Sequence, residues 1–218
     1  MRKIPVPDGA KLYVTATLAA AVGTGTATNA ASAVVTIEDH GIASDALVLI
    51  DSEDWPELAG RVARVTVSAN AVTLQGIDTT NTDKYPAGGK LALTVLPADA
   101  SFTRLPYVTA LGVSGGELQT GTSEYLDVET AGEYATGRSP RRMEYSVSFN
   151  ADGAGRAALL AADGKFTVHK LVYKNGDATY YAGELHYNDT PSTEKGQEQT
   201  TTSTVLLQNA PSFVKKAA

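Results

Sequence analysis

The feature that most constrains this chain is its division into short runs rich in β-branched, aromatic and leucine residues, separated by Gly, Asn, Asp and Pro. Such runs predict β-strands bounded by turns. In Met143–Phe149 apolar and polar residues alternate, which is typical of a half-buried antiparallel strand. The other predicted strands are Ala33–Ile37, Ala46–Ile50, Arg61–Ser68, Ala71–Ile77, Lys90–Leu96, Leu105–Val113, Lys165–Tyr173, Thr179–Tyr187 and Thr200–Gln208.

Only one segment has the composition of a helix, Gly153–Ala162. Asp152 is expected to cap its start and Gly164 to suit its end. One short helix among about ten strands predicts a mainly β protein, in the sense of a β-dominated α+β fold. Asn175-Gly176 predicts a type I′ hairpin turn between two of the strands. The helix residues expected to be structural are Arg156, Leu159 and Leu160, with both leucines covering the sheet.

Two segments interrupt the predicted strands. Ala21–Ala31 consists largely of Gly, Thr and Ala, which predicts a flexible joint. Ser123–Arg142 is longer, and its first half is acidic whereas its second half is basic. Loops of this length are usually functional or disordered, and a solvated surface loop is the alternative interpretation. The opposite charges favour attraction within the loop or between copies of the chain.

Composition excludes several classes of protein. Of the 218 residues, 43% are hydrophobic, which is enough apolar material for a buried core. The absence of cysteine excludes disulfides, thiolate catalysis and cysteine-ligated metals. No apolar run is long enough to span a membrane and Pro7, Asp8 and Gly9 interrupt the basic start, so neither membrane insertion nor a secretory signal is expected. The net charge of −6 argues against a dedicated nucleic-acid-binding protein.

The motifs that match catalytic or metal-binding patterns lack the context those patterns need. Gly112–Gly116 matches the G-x-S-x-G nucleophile elbow around Ser114, but no helix is predicted after it. Ser192–Lys195 matches S-x-x-K without its partner motifs. Asp78–Asp83 has part of a calcium-loop pattern without the terminal Glu, so a turn stabilised by Asp side chains is preferred. We therefore predict no catalytic residue, metal site or cofactor, and no enzymatic activity.

An ordered series of short segments runs from Thr103 to Val214. Each segment is short, but their order and spacing resemble those of the major tail tube proteins of long-tailed bacteriophages with non-contractile, lambda-like tails. The segments are Leu105–Val108, Gly116–Leu118, Tyr125–Asp127, Thr136–Arg138, Met143–Phe149, Gly155–Leu160, Tyr173–Asp177, Tyr181–Leu185, Pro191 and the Thr-rich final strand.

The resemblance implies an antiparallel β-sandwich with one short flanking helix. Gly9–Val14 is similar to the family's first strand, so the tail tube domain is expected to comprise residues 1–20 and 101–214. Residues 30–100 are then a small β module, inserted in that domain or appended to it, and residues 215–218 are a C-terminal tail.

The resemblance also implies the function of a structural virion protein. Members of the family form hexameric rings that stack into a hollow tube, through which the genome passes into the host. The family's long loop is mobile in the free subunit and orders when rings stack; here it corresponds to Ser123–Arg142. The expected inter-subunit and inter-ring contact residues are Glu124, Tyr125, Asp127, Glu129, Glu133, Arg138, Arg141 and Arg142.

The implied partners are further copies of the chain, a tape measure protein, a tail terminator and distal tail proteins. Double-stranded DNA would pass transiently and without sequence specificity, and mild acidity suits such a conduit because an acidic or neutral lumen does not retain phosphates. The implied location is the phage tail, assembled in the cytoplasm of the host bacterium.

Other functions stay open at this point. A surface β-sandwich for binding or adhesion would explain the β content, although Trp55 is the only tryptophan and no aromatic cluster predicts a sugar platform. Another ring component of the same tail, such as a terminator or distal ring, is the second alternative. A serine hydrolase using Ser114 is the third.

Overall fold

The computed structural model describes residues 9–125, 129–150 and 152–216. Antiparallel strands dominate the regular structure of these residues, which confirms the mainly β class. The strands are β1 (Lys11–Thr15), β2 (Gly23–Ala27), β3 (Val34–Thr36), β4 (Leu47–Asp51), β5 (Val62–Ser68), β6 (Ala71–Leu74), β7 (Lys90–Val95), β8 (Thr103–Leu105), β9 (Val108–Ser114), β10 (Leu118–Ser123), β11 (Gly132–Arg138), β12 (Arg141–Ser148), β13 (Phe166–Val172), β14 (Ala178–Asn188), β15 (Thr200–Leu207) and β16 (Ser212–Val214). The helices are α1 (Ala154–Ala162) and short 3₁₀ turns at Pro56–Leu58 and Asp99–Ser101.

Six strands between residues 23 and 95 close into a barrel, in the order β2-β3-β6-β5-β4-β7. Residues facing the interior alternate with more exposed ones, as in β6, where Val72 and Leu74 are buried. Trp55 is also fully buried, and its Nε1–H donates to the Pro86 carbonyl at 3.0 Å. The Tyr85 ring meets the indole edge-on at a centroid distance of 5.4 Å. The barrel interior is therefore filled by side chains.

Eight strands from the two ends of the chain form a second antiparallel sheet. Their order is β8-β1-β13-β14-β15-β12-β9, and β16 pairs with the first part of β14. The barrel lies in sequence between β1 and β8, which are neighbours in this sheet. One face of the sheet carries a core that includes Leu12, Met143, Leu185 and Val205, and α1 packs on that core through Leu159.

The barrel packs against the opposite face of the sheet. Leu49 and Val62 of the barrel share a core with Tyr180 of β14. The Ser212 hydroxyl in β16 accepts hydrogen bonds from the Val62 N–H at 2.8 Å and from Arg61 Nε at 3.2 Å. Shared apolar burial and these hydrogen bonds join the two parts of the molecule.

The segment Ala21–Ala31, predicted to be a flexible joint, contains strand β2. This strand pairs with β3 on one side and with β7 on the other. A Cβ on Gly25 would collide with the backbone of Thr36, and one on Gly23 would collide with Ile37. Glycine is therefore required here by close packing in the barrel, so the interpretation as a joint was wrong.

Two local predictions differ in detail from the structure. Leu105–Val113 is divided into β8 and β9, because Pro106 cannot donate a ladder hydrogen bond and Tyr107 has a φ of +56°. Asn175-Gly176 does connect β13 to β14, but only Gly176 has a positive φ, at +88°. Its N–H donates to the Tyr173 carbonyl at 2.9 Å, so the turn is not the predicted type I′.

The predicted helix is present, but two of its details were wrong. Gly153 stands at the N-cap, and Asp152 makes no capping hydrogen bond. Instead the Asp152 N–H donates to Asn150 Oδ1 at 3.2 Å. Leu160 is 45% exposed and does not cover the sheet, because it points about 100° around the axis of α1 from the buried Leu159 and so lies outside the face that packs on the core.

Arg156 connects α1 to the end of β14. Its Nε and Nη2 donate to the two carboxylate oxygens of Asp189 at 2.7 and 2.5 Å. This bidentate pair holds the pKa of the Asp189 carboxyl below its ordinary value. The contact joins the helix to the residue that follows β14, and a structural role for Arg156 stays a prediction.

The two leucines of α1 provide a matched test of its placement. We expect Leu159→Ala to lower the free energy of unfolding by about 2–5 kcal/mol, because it leaves a cavity in the core. Leu160→Ala should lower it by about 0.5 kcal/mol or less, since that side chain is largely in solvent already. Urea unfolding of both variants measures the difference, and equal losses would contradict the orientation of α1.

Candidate interaction surface

Strands β10 and β11 form a hairpin that pairs with no other strand in the described residues. All of β11 is exposed, as is most of β10. None of the three apolar cores contains a residue of either strand. The segment Ser123–Arg142, predicted to be a structureless loop, therefore includes strand β11 and the start of β12, and that prediction was wrong.

The hairpin continues the β9–β12 ladder across a sharp junction. Gly115 and Gly116 have φ values of +87° and +82°, and a Cβ on Gly115 would collide with the backbone of Pro140. Across the junction the Gly116 N–H donates to the Ser139 carbonyl, and the Ser139 N–H donates to the Glu117 carbonyl, both at 3.0 Å. The ribbon therefore changes direction while its two strands stay paired.

Side-chain hydrogen bonds add to the order of this junction. The Ser139 hydroxyl donates to the Glu117 carboxylate and accepts from the Glu117 N–H at 3.1 Å. The hydroxyl contact, with backbone N–H groups in addition, holds the pKa of the Glu117 carboxyl below its ordinary value. Arg138 Nη1 donates to the Gly116 carbonyl at 2.8 Å. Side-chain hydrogen bonds therefore join the two strands at the base of the hairpin, in addition to the backbone pairs.

Three of the four acidic residues of the predicted contact set are described, and they lie towards the tip of the hairpin. Glu124, Tyr125 and Glu129 are exposed there, and 66% of the Tyr125 surface is accessible. Glu133 lies in β11, where its Oε1 accepts a hydrogen bond from the Thr120 hydroxyl at 2.6 Å. Asp127, also in the predicted set, lies outside the described residues.

The predicted arginines lie at the opposite end. Arg138 is the last residue of β11, whereas Arg141 and Arg142 begin β12. The ion pairs in the described residues do not join these arginines to the acidic tip. At about 3.3 Å per residue, the strands separate tip from base by roughly 20 Å. Among the described residues, acidic side chains thus lie towards the tip and the three arginines lie at the base beside the Glu117 carboxylate, and no ion pair joins tip to base.

A groove of about 750 Å³ runs beside the hairpin base. It lies between the hairpin, the turn joining β15 to β16, and the barrel. Its charged lining residues are the cations Arg61, Lys84, Arg138 and Arg141 and the single carboxylate Glu57. Its apolar lining residues are Leu118, Ala135, Pro140, Leu207 and Ala210. Cationic and apolar side chains therefore both line the groove.

Sequence reasoning missed two of the four cations, Arg61 and Lys84. Both belong to the barrel segment, far from the hairpin in sequence, and no local pattern connects them with it. The contact between β5 and β16 brings Arg61 to the groove, since its Nε donates to Ser212. Only the packing of barrel on sheet identifies these residues.

One part of the sheet is covered neither by α1 nor by the barrel. It consists of the outward residues of β9, β12, β15 and the second half of β14, which are exposed or half-buried. Its charged residues are Arg142, Glu144 and Glu184, with His186 Nε2 at 3.3 Å from Glu184 Oε1. Strand β9 lies at the edge of the sheet, so one side of its backbone has no partner strand in the described residues.

The remaining motifs occupy ordinary structural positions. Ser114 ends β9 opposite Arg142 and is followed by the junction to β10, not by the helix that a nucleophile elbow needs. Asp78 Oδ1 accepts hydrogen bonds from the Thr80 N–H at 2.9 Å and hydroxyl at 2.7 Å, which confirms the predicted turn. Within the described ranges, no cluster of three potential metal ligands occurs. No helix in those ranges has the length and apolar character to span a membrane.

Comparison with protein families finds that residues 53–216 match the family of phage tail tube proteins. The match includes the second half of the barrel, the hairpin, α1 and every strand from β8 to β16. Comparison with curated proteins finds no match.

Proposed function

The chain belongs to the phage tail tube protein family, and from this premise we propose that it forms hexameric rings that stack around a lumen conducting the genome into the host. Membership of the family makes it a structural subunit of a phage tail tube, which assembles with copies of itself. The hexameric symmetry and the passage of DNA are the proposed part.

The exposed hairpin is the observation that carries the proposal. A two-stranded ribbon without a core of its own is marginally stable in water and gains stability from contact with another surface. We propose that the hairpin and its base make the inter-subunit and inter-ring contacts. The proposed contact residues are Glu124, Tyr125, Asp127, Glu129, Glu133, Arg138, Arg141 and Arg142.

The edge strand β9 supports assembly in a second way. An edge strand presents backbone N–H and C=O groups to a strand of another chain. A head-to-tail contact made through such an edge closes into a ring when its rotation permits, and stacking then requires a second, open-ended contact. The edge and the hairpin are two separate surfaces suited to these two contacts.

We assign the uncovered face of the sheet to the lumen. Its charged groups include Glu144, Glu184 and Arg142, and its other residues are largely Ser, Thr, Gly and Ala. This face has no excess of cations that would hold DNA phosphates during passage. The expectation of an acidic or neutral lumen agrees with this assignment.

The proposal includes the organisation and surroundings of the subunit. Residues 1–20 and 101–214 form the tail tube domain, residues 30–100 an inserted module, and residues 215–218 a tail. The tape measure, tail terminator and distal tail proteins are its partners, and assembly takes place in the cytoplasm of the host bacterium. The subunit has no enzymatic role and needs no cofactor.

Negative-stain electron microscopy of the purified protein over a concentration series tests the proposal. Long hollow tubes of uniform width with six-fold end views are expected. Closed single rings that never stack would identify a terminator or distal ring component instead. Monomers at every concentration, with or without added tube fragments as seeds, would contradict assembly through these surfaces.

A further inference from the structure

We propose that the acidic hairpin tip of one subunit docks in the basic groove of a second copy of the chain, and that the barrel forms part of the acceptor through Arg61 and Lys84. The inference rests on the proposed function, because it names the partner surface of the hairpin in the stacked assembly. It also gives the barrel a role in stacking.

Charge complementarity is the first argument. Four cationic side chains and one carboxylate line the groove, in a chain whose formal net charge is −6. The tip presents the exposed carboxylates Glu124 and Glu129. Complementary charges on two surfaces favour their encounter and fix their register, while like charges exclude other pairings.

The geometry of the hairpin is the second argument. Its strands hold the tip roughly 20 Å from the base, so the tip carboxylates lie away from the arginines of their own hairpin. Their opposite charge is available instead in the groove of another copy. Because tip and groove are different surfaces, such a contact is head-to-tail and continues from copy to copy. A tube of stacked rings needs a contact of this kind along its axis.

Three of the four cations in the groove have contacts within their own subunit. Arg61 Nε donates to the Ser212 hydroxyl at 3.2 Å, and Arg138 Nη1 donates to the Gly116 carbonyl at 2.8 Å. Lys84 Nζ lies 5.3 Å from the centroid of the Tyr85 ring. Cations held in this way lose little side-chain freedom on binding, so more of the attraction to a carboxylate is retained.

The tip also offers an aromatic anchor for the apolar side chains of the groove. Tyr125 lies between Glu124 and Glu129 in sequence and is 66% exposed. The groove provides Leu118, Pro140 and Leu207 beside its cations. A large aromatic side chain buried at the centre and surrounded by charged pairs is the usual arrangement of energetically dominant contacts in protein interfaces.

Lys84→Glu is the variant that tests the inference. Lys84 is exposed in a surface turn and its ammonium group lies beside the Tyr85 ring, so its replacement should leave the subunit folded. We expect the concentration for half-maximal tube formation to rise roughly tenfold, because each stacked subunit gains a like-charge contact. Lys195→Glu, an exposed lysine in a turn outside the groove, is the matched control and should assemble like the wild type.

Charge exchange then identifies the partner. Glu129→Lys should impair assembly as Lys84→Glu does, and the combined variant should recover most of the wild-type behaviour. Normal tubes from Lys84→Glu, or two impaired single variants without recovery in combination, would overturn the docking. Both results leave the proposed function intact as long as the wild type forms tubes. A wild type that forms none would contradict the proposed function itself.

Discussion

Replacing residues 118–138 with a two-residue Asn-Gly turn is expected to give a folded monomer that forms no tubes. None of the described residues of the hairpin belongs to an apolar core, so its loss should lower the free energy of unfolding by about 1 kcal/mol or less, a shift of roughly 4 °C in the midpoint. The hydrogen bonds between Gly116 and Ser139 and between Ser139 and Glu117 already join the strands at the cut. Thermal unfolding and negative-stain microscopy measure the two effects.

The design of this variant follows from the pairing of the strands. Removing only residues 132–139 would leave β10 without a partner and would also remove Ser139 from the junction. Shortening the exposed segment 193–198 between β14 and β15 is the control, and it should leave assembly unchanged. Normal tubes from the hairpin replacement would show that other surfaces make the stacking contact.

The hairpin also shows where sequence reasoning succeeds and where it ends. Met143–Phe149 was recognised as a strand because burial of one face imposes alternation of apolar and polar residues. Both faces of β11 are exposed, so no alternation is imposed and the strand resembles a loop in sequence. Strand β2 is not predicted for another reason. Close packing in the barrel requires Gly at positions 23 and 25, so the strand lacks the β-branched and aromatic residues by which strands are predicted.

The sequence predicts the part of the candidate site whose charged residues lie close together in one segment of the chain. The acidic and basic halves of Ser123–Arg142 are visible in the sequence, and the structure places them at opposite ends of one hairpin. The groove is a product of long-range packing instead. Arg61 reaches it through Ser212, which is 151 residues away in sequence. No periodicity or motif in the sequence predicts a contact between residues so far apart in the chain.

The stability of the subunit is expected to fall with acid because of a histidine in the middle of the sheet. His169 is fully buried in β13, with the Tyr145 hydroxyl 3.0 Å from its Nε2 and the Thr167 hydroxyl 3.3 Å from its Nδ1. Burial lowers the pKa of His169 to about 3, because no water stabilises the imidazolium there. The ordinary pKa of 6.5 applies when the chain is unfolded.

The direction of the effect follows from the order of these two pKa values. Below about pH 6.5 the unfolded chain takes up a proton on His169 that the folded chain does not bind, so acid favours unfolding. The loss approaches about 1.4 kcal/mol per pH unit and reaches about 4–5 kcal/mol near pH 3. Above about pH 6.5 both states are neutral at this position, and the contribution is constant.

Urea unfolding between about pH 7.5 and about pH 5 isolates this histidine from the carboxylates. The carboxyls of Glu117 and Asp189 have lowered pKa values, so their contribution to stability is lost only as the pH falls below their ordinary values of 4.5 and 3.8. His169→Gln should therefore weaken the pH dependence of the free energy of unfolding in this range, whatever the stability of the variant. Replacement of the exposed His186 by Gln should leave that pH dependence as in the wild type. An unchanged pH dependence of the unfolding free energy in His169→Gln would show that another group binds the proton. A weaker pH dependence in His169→Gln would identify the buried Tyr145–His169–Thr167 network as the source of the acid sensitivity between about pH 7.5 and about pH 5.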